Sequence, residues 1–157
     1  MGVVWEFRKA FLDAAKYRES KPATADEGKE ILVKAMDRKI PVRISASRSF
    51  DIETALQLAD EFGLVLQIEE AEESHRYVKE LAERKVTVAL RPSFRTADLY
   101  LPEGGELRFD TFARLTRAGV PVALLHGDLD ARESMLAMAS FAVKYGASRE
   151  DALRSVT

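Results

Sequence analysis

Four short runs of mostly apolar residues, separated by helical segments, constrain the fold more than any other feature of this sequence. The runs are Ile40–Ile44, Leu64–Ile68, Val86–Leu90 and Val120–Leu125. Continuous apolar runs are typical of parallel strands that are buried on both faces. Strands that alternate with helices predict βαβ units with right-handed crossovers. We therefore expect an α/β fold of four parallel βα units, forming either half of a (β/α)8 barrel or a flavodoxin-like layer.

Apolar spacing and capping residues predict the helices around these strands. Two helices precede the first strand, one over Val3–Tyr17 and one that begins with a capping box at Thr24–Glu27. The remaining helices are expected at Asp51–Phe62, Glu72–Arg84, Asp110–Arg117 and Ala131–Tyr145, with a short last helix capped at Ser148–Asp151. The longest irregular stretch is Arg91–Glu106.

Length and composition predict one domain and exclude several classes of function. The 157 residues, 46% of them hydrophobic, suffice for one continuous core, so we expect a single domain over 1–157. A net charge of -2 gives no basic excess for nucleic acid. No apolar run approaches the roughly 20 residues of a membrane span. The absence of cysteine excludes disulfides and thiolate sites. We expect a cytoplasmic protein without a nucleic-acid or membrane partner.

Polar residues follow the first two predicted strands, where parallel α/β folds gather their ligands. Ser45, Ser47 and Arg48 follow the first strand and could hold an anion, or they form a polar strand end that caps the next helix. The acidic run Glu69–Glu73 could bind a hard cation, or it complements the dipole of the next helix. His75 is predicted to lie on the exposed first turn of that helix.

His126 and Asp128 follow the fourth predicted strand. A histidine and an aspartate at a strand exit could bind a metal or support acid–base chemistry. The alternative is a polar turn in which Asp128 or Asp130 caps the next helix. The sequence contains no GxGxxG, P-loop, nucleophile-elbow or HExxH motif. It therefore gives no support for nucleotide binding or serine-hydrolase chemistry.

Four collinear stretches carry a family resemblance that covers essentially the whole chain. They are Met1–Ala14, Pro41–Gly63, Ile68–Glu73 and Ala118–Leu124. The second contains Pro-Val-Arg-Ile-Ser-Ala-Ser-Arg and the third reads Ile-Glu-Glu-Ala-Glu-Glu. Both resemble motifs of the imidazolonepropionase-like branch of the metal-dependent amidohydrolases, where the usual forms are Pro-Val-Arg-Ile-His-Ala-His-Arg and Ile-Glu-His-Gly-Thr-Glu. The resemblance implies strands 5 to 8 of that family's barrel.

The resemblance also implies where metal ligands would stand. The family's histidines on strands 5 and 6 correspond to Ser45 and Glu70, and its strand 8 aspartate falls at Gly127, one residue before Asp128. Replacing imidazole with serine and glutamate removes the nitrogen donors. Without a metal, the activated water that such hydrolases use is lost. We therefore expect no cofactor and treat Ser45, Glu70 and Asp128 as degenerate ligand positions.

Three functional hypotheses follow from the resemblance and the residues. The first is a non-catalytic half-barrel that self-associates, because half a barrel exposes two sheet edges and an apolar inner face. The two N-terminal helices could instead cover that face. The second is a zinc hydrolase subunit for cyclic amide C–N bonds, completed in trans by a partner that carries strands 1 to 4. The third is a small-anion binder that uses Ser45, Ser47 and Arg48.

Overall fold

The computed structural model describes residues 2–20, 23–91, 108–125 and 134–157. The helices in these ranges are α1 Val3–Ser20, α2 Glu27–Met36, α3 Ser49–Phe62, α4 Val78–Glu83, α5 Thr111–Arg117, α6 Met135–Lys144 and α7 Arg149–Arg154. The strands are β1 Val42–Ala46, β2 Leu66–Glu70, β3 Thr87–Leu90 and β4 Val122–Leu124, and a 3-10 turn spans Ser74–Arg76. None of the helices in these ranges has the length and apolar character to cross a bilayer.

The four strands form one parallel sheet in the order β1-β2-β3-β4. Ile68 of β2 lies opposite Val88 of β3, and Val88 lies opposite Val122 of β4. A doubly wound sheet reverses its strand order at a switch point, whereas a barrel adds each strand beside the previous one. The sequential order therefore confirms the predicted α/β fold and selects the half-barrel over the flavodoxin-like layer.

Burial alternates along the strands, so the predicted burial on both faces is wrong. Ile68 and Val88 are completely buried and Leu90 is 2% exposed, and together they define the helix-covered face. The residues between them point to an open face, where Glu69 and Ala89 are half-buried and Arg43, Ser45 and Ala123 are exposed. The open face is consequently polar or small, not the apolar inner face that we expected. The reason is visible in the runs themselves, since their alternate positions include arginine, glutamine and threonine, and serine follows the first run.

Three strands, β1, β2 and β4, begin two residues later than predicted, and before β1 and β2 a helix end occupies the intervening residues. The N–H of Lys39 donates to the carbonyl of Lys34 at 2.9 Å, which keeps the chain in the turn that ends α2. The N–H of Leu64 likewise donates to the carbonyl of Ala59 at 2.9 Å, beside Gly63 at φ +68°. These are helix-terminating bonds of the kind that a left-handed residue permits. The strands therefore extend to Ala46 and Glu70.

Several predicted helix starts also change. Asp26, not Thr24, is the N-cap of α2, and its carboxylate accepts from the N–H of Lys29 at 3.1 Å. The predicted capping box is therefore wrong, because aspartate takes the capping role of the threonine. Ser134 is the N-cap of α6, three residues after the predicted start. The predicted cap at Ser148 is confirmed, since its hydroxyl accepts from the N–H of Asp151 at 3.0 Å.

The chain divides into two compact units, and the first comprises Met1–Val42 and Leu56–Leu66. Its centre is a group of aromatic rings, in which Phe11 lies 4.6 Å from Phe7 and 5.1 Å from Phe62, measured between ring centroids. Such contacts add to the stability of burial. An ion pair of 2.7 Å joins Arg8 to Glu61 at the surface of this unit.

The second unit comprises Arg43–Ala55 and Gln67–Thr157. It contains the sheet apart from the first residues of β1 and β2, and its largest fully buried side chains include Phe112, Ile68 and Leu81. Near its C-terminus the N–H of Leu124 donates to the carbonyl of Ser155 at 3.0 Å. The single-domain prediction for 1–157 concerns independent folding, so it stays a prediction beside this division.

Candidate functional site at the strand tips

The tips of β1, β2 and β3 are joined by a cluster of three polar side chains, Ser47, Glu70 and Arg91, which we call the strand-tip cluster. The hydroxyl of Ser47 donates to Oε2 of Glu70 at 2.9 Å. Nη2 of Arg91 donates to Oε1 of the same carboxylate, also at 2.9 Å. Because the carboxyl ends of parallel strands meet at one edge, residues that are distant in sequence are brought together here.

A second carboxylate, that of Glu73, lies beside the cluster and is almost completely buried. Its Oε2 accepts from the backbone N–H of Ser49 at 2.8 Å, at the first residue of α3. Its Oε1 lies 3.6 Å from Nη1 of Arg48, and its own N–H donates to the carbonyl of Ser47 at 3.0 Å. Carboxylates at a helix N-terminus satisfy free backbone donors and complement the dipole. Glu73 therefore fixes the junction between β1 and α3.

This use of Glu73 also explains why the predicted helix over Glu72–Arg84 does not form as one element. The backbone of Glu73 is bonded to Ser47, so the chain turns through the 3-10 segment Ser74–Arg76 before α4 begins. His75, predicted to be exposed, is instead 8% exposed within this segment. That prediction was wrong because the turn directs the segment into the second unit.

The backbone at the end of β2 has an uncommon conformation. Glu70 has φ +68° and Ala71 has φ +44°, two consecutive non-glycine residues in the left-handed region. Such conformations cost about 1 kcal/mol or more per residue and persist where the surroundings fix them. Here the bonds of the Glu70 side chain to Ser47 and Arg91 hold the residue in place. Ala71 stands where the resembling motif carries glycine, and it is fully buried.

The open face of the sheet carries a third ion pair. Arg43 of β1 pairs with Glu69 of β2. Ser45, two residues further along β1, lies exposed on the same face. Each of the three glutamates, Glu69, Glu70 and Glu73, is thus matched by an arginine from a different part of the second unit.

The second unit also has a shallow cavity of about 410 Å³, lined by His75, Val78, Arg114, Arg117 and Ala118. Both of its arginines are engaged. Arg114 pairs with Asp110 at 2.7 Å, and Arg117 donates to the carbonyl of Gly146 at 2.5 Å.

Asp110 stands at the N-cap position of α5, but its side chain binds two arginines and not the backbone. Hydrogen bonds from Arg108, aided by Arg114, lower the pKa of Asp110 from 3.8 to about 2. An acceptor for two guanidinium groups is favoured in its charged form.

The sequence-predicted site residues are thus distributed unevenly. Ser47 and Arg48 lie at the strand tips and contact carboxylates, which compete with any external anion. Ser45 lies on the open face, and His126 and Asp128 lie outside the described residues. Sequence reasoning places Arg91 at the expected end of the third strand but assigns it no role in a site. The signal was its place directly after an apolar run, where a strand tip was expected.

The strand-tip residues do not fit the divalent metal that the family resemblance implies. Both oxygens of Glu70 accept hydrogen bonds within the protein, and Ser45 offers only a neutral hydroxyl, a poor ligand beside imidazole. Among residues 2–20, 23–91, 108–125 and 134–157, no group of three or more His, Cys, Asp or Glu side chains is arranged to hold a metal ion.

Comparison with solved structures gives one informative match. The chain is similar to the crystal structure of an amidohydrolase from Thermotoga maritima MSB8, with a TM-score of 0.83 and 33% sequence identity over 100% of this chain. This chain has an amidohydrolase-like fold. It spans 43% of the length of the Thermotoga protein, which agrees with a half-barrel. No protein-family model matches the sequence, and no curated protein matches it.

Proposed function

We propose that this chain is a non-catalytic half-barrel of the imidazolonepropionase-like amidohydrolase branch and that it acts in the cytoplasm by self-association. The observation that carries the proposal is the state of the two metal-ligand positions. Ser45 is an exposed serine, and Glu70 is bound by Ser47 and Arg91. Amidohydrolase chemistry of the family's kind needs a metal-activated water, and these residues supply no nitrogen donor for the metal.

Self-association is supported by the outer strands of the sheet. The strand order makes β1 and β4 the edges, and an unpaired edge is a template for another strand. At β4, the N–H of Leu124 is already bonded to the carbonyl of Ser155 at 3.0 Å. Closing an eight-stranded barrel from two copies would require breaking that bond, so β1 is the edge better suited to pairing.

The direction of the backbone hydrogen bonds of β1 identifies a substitution that tests pairing at this edge. The N–H of Val42 donates to the carbonyl of Val65, so the N–H groups of alternate residues, including Ser45, point away from β2. Ser45→Pro removes one N–H donor that points outward, so every bond between β1 and β2 is kept. Proline is tolerated at such edge positions. Ser45→Ala is the matched control, since it removes the hydroxyl and keeps the N–H.

The test measures solution mass and bound metal on one purified sample. We expect light scattering to give a mass of at least twice 17.6 kDa at micromolar concentration, with no stoichiometric zinc. Ser45→Pro should lower the mass towards that of one chain, and Ser45→Ala should leave it unchanged. A single-chain mass for the unmodified protein would reject self-association, and stoichiometric zinc would reject the loss of the metal.

A second candidate function is a hydrolase subunit that a partner half-barrel completes in trans, acting on cyclic amide C–N bonds. It is favoured by the fact that the chain spans only 43% of the Thermotoga amidohydrolase. Such a partner would have to supply nearly all the metal ligands. Zinc that appears only in a complex of the two halves, together with amide hydrolysis by that complex, would favour this function over the first.

A further inference from the structure

We infer that the guanidinium of Arg91 is a built-in cation of the strand-tip cluster and that it closes this site to divalent metal ions. The inference extends the proposed function and depends on the part of it that concerns the lost metal, not on self-association. It begins from the disagreement between the strand-tip residues and the metal that the fold family implies.

The first support is the position of the ion pair. Glu70 stands where the resemblance puts a histidine ligand, at the tip of β2 and between β1 and β3. Arg91 follows β3 directly, and its backbone N–H donates to the carbonyl of Glu70 at 2.9 Å. The main chain of Arg91 is therefore anchored to the same residue that its side chain binds. Arg91 is thus held at this tip by one main-chain bond and one side-chain bond to Glu70.

The second support is that both oxygens of the carboxylate already accept a hydrogen bond within the protein. Oε2 of Glu70 accepts from Ser47 and Oε1 accepts from Arg91, each at 2.9 Å. The side chains of Glu70 and Arg91 are 30% and 32% exposed, so water screens the pair only in part. A bridging metal ties together ligands from several strands. Arg91 and Glu70, with Ser47, tie together the tips of the same three strands without a metal.

The third support is the charge of the surroundings. Glu73 is paired with Arg48, and Glu69 is paired with Arg43. A divalent ion that entered at Glu70 would meet the guanidinium of Arg91 and would find the carboxylates of Glu73 and Glu69 already paired. Like charges at such short range oppose binding. Loss of the histidines alone therefore does not describe the site, because a positive charge has been placed beside the vacated ligand position.

The test restores the two histidine positions with and without the guanidinium. Three full-length variants are compared by zinc titration against a chromophoric chelator. They are Ser45→His/Glu70→His, the same pair with Arg91→Ala, and the same pair with Arg154→Ala. Arg154 is the matched control, because it is an arginine of the same unit whose side chain is 75% exposed on α7.

We expect removal of Arg91 to raise the zinc affinity of the double variant at least about tenfold, since it deletes a positive charge next to the ion. Arg154→Ala should leave the affinity of the double variant unchanged. Equal affinities with and without Arg91 would overturn the inference. So would the absence of zinc binding in all three variants when circular dichroism shows them to be folded, because Arg91 would then not be what keeps the metal out.

A second measurement covers the case in which the histidine variants do not fold. In the otherwise unchanged chain, Arg91→Lys keeps the positive charge and Arg91→Ala removes it. If the guanidinium is a structural cation, the melting temperature of Arg91→Lys should lie above that of Arg91→Ala. Equal losses for the two variants would overturn the inference. Failure of either test leaves the solution-mass result untouched, so the two proposals can be rejected separately.

Discussion

The helix-covered face of the sheet and the strand tips show two different ways of holding four parallel strands together. On the covered face, Ile68, Val88 and Leu90 are at most 2% exposed and are apolar throughout. At the tips, the carboxylates of Glu70 and Glu73 bind arginines and hydroxyl or backbone donors. The covered face depends on burial, which tolerates exchange between apolar residues of similar volume. The tips depend on specific partners, so each change there leaves another group unsatisfied.

This difference explains how an amidohydrolase-like fold can form independently of the residues at its strand tips. The apolar rows specify the sheet without reference to what the tips bind. The tips can therefore carry serine and glutamate, provided that the carboxylates have partners. Arg91 and Arg48 are those partners for Glu70 and Glu73.

The largest effect should come from the covered face. Ile68→Ala removes a completely buried side chain from the centre of the sheet, and we expect it to lower the free energy of unfolding by about 3 kcal/mol. The adjacent residue, Gln67 on the open face, provides the control. Gln67→Ala should change the free energy of unfolding by no more than about 0.5 kcal/mol. Urea unfolding of both variants measures the difference. Similar losses for the two would show that the faces are not energetically distinct.

The next effect should come from the buried carboxylate at the tips. Glu73→Ala leaves the Ser49 N–H without its acceptor and deprives Arg48, whose side chain is 16% exposed, of a carboxylate. We expect a loss of about 2 kcal/mol. Glu83→Ala is the control, because the Glu83 side chain is 64% exposed and should contribute about 0.5 kcal/mol or less. If the two variants lose equal stability, the tips are not held by specific partners.

The sequence predicted the fold better than the site, and the residues show why. The order of strands and helices follows from apolar periodicity, which is local and survives small errors in boundaries. The strand tips depend on those boundaries. Because helix-terminating bonds at Lys39 and Leu64 move β1 and β2 forward by two residues, Ser45 lies within a strand and not beyond it.

The partners at the tips could not be predicted because they join residues far apart in the chain. Glu70 and Arg91 are separated by 21 positions, and Ser47 and Glu70 by 23. A run of five residues with four glutamates reads equally well as a helix start or a cation site. Only the folded structure shows that three of the four, Glu69, Glu70 and Glu73, are paired with arginines. The prediction that His75 is exposed was wrong for the same reason. Its burial depends on the turn that follows the backbone bond between Glu73 and Ser47.

A smaller effect on stability is expected at Asp110. Its dependence on pH should distinguish stabilisation by charge from stabilisation by burial. The pKa of Asp110 is about 2 in the folded protein against an ordinary 3.8, so its contribution is present above about pH 3.8 and is lost as the pH falls through about 2. Because the side chain is 36% exposed, we expect Asp110→Asn to cost only about 1 kcal/mol at pH 7.

Urea unfolding at several pH values checks this expectation. The difference in the free energy of unfolding between Asp110→Asn and the unmodified protein should become smaller as the pH falls from about 4 to about 2. The corresponding difference for Ile68→Ala should stay constant. Glu150→Gln, at a surface pair whose carboxylate is 79% exposed, should show almost no gap at any pH. If the stability difference for Asp110→Asn does not depend on pH, the charge of the Asp110 carboxylate is not what stabilises the protein.

The smallest effect should come from the backbone alone. Lys85 lies two residues after the end of α4, in the left-handed region at φ +55°, and the N–H of the next residue, Val86, donates to the carbonyl of Leu81 at 3.0 Å. Gly63, Gly119 and Gly146 occupy the equivalent left-handed positions elsewhere. Lys85→Gly removes the strain of a side chain at positive φ, and we expect it to raise the free energy of unfolding by about 0.5 kcal/mol.

Lys79→Gly, inside α4, should instead lower the free energy of unfolding by about 1 kcal/mol. The opposite signs test the backbone explanation directly, because both changes remove the same exposed lysine side chain. A loss at both positions would mean that the lysine itself, and not the conformation at Lys85, determines the stability there.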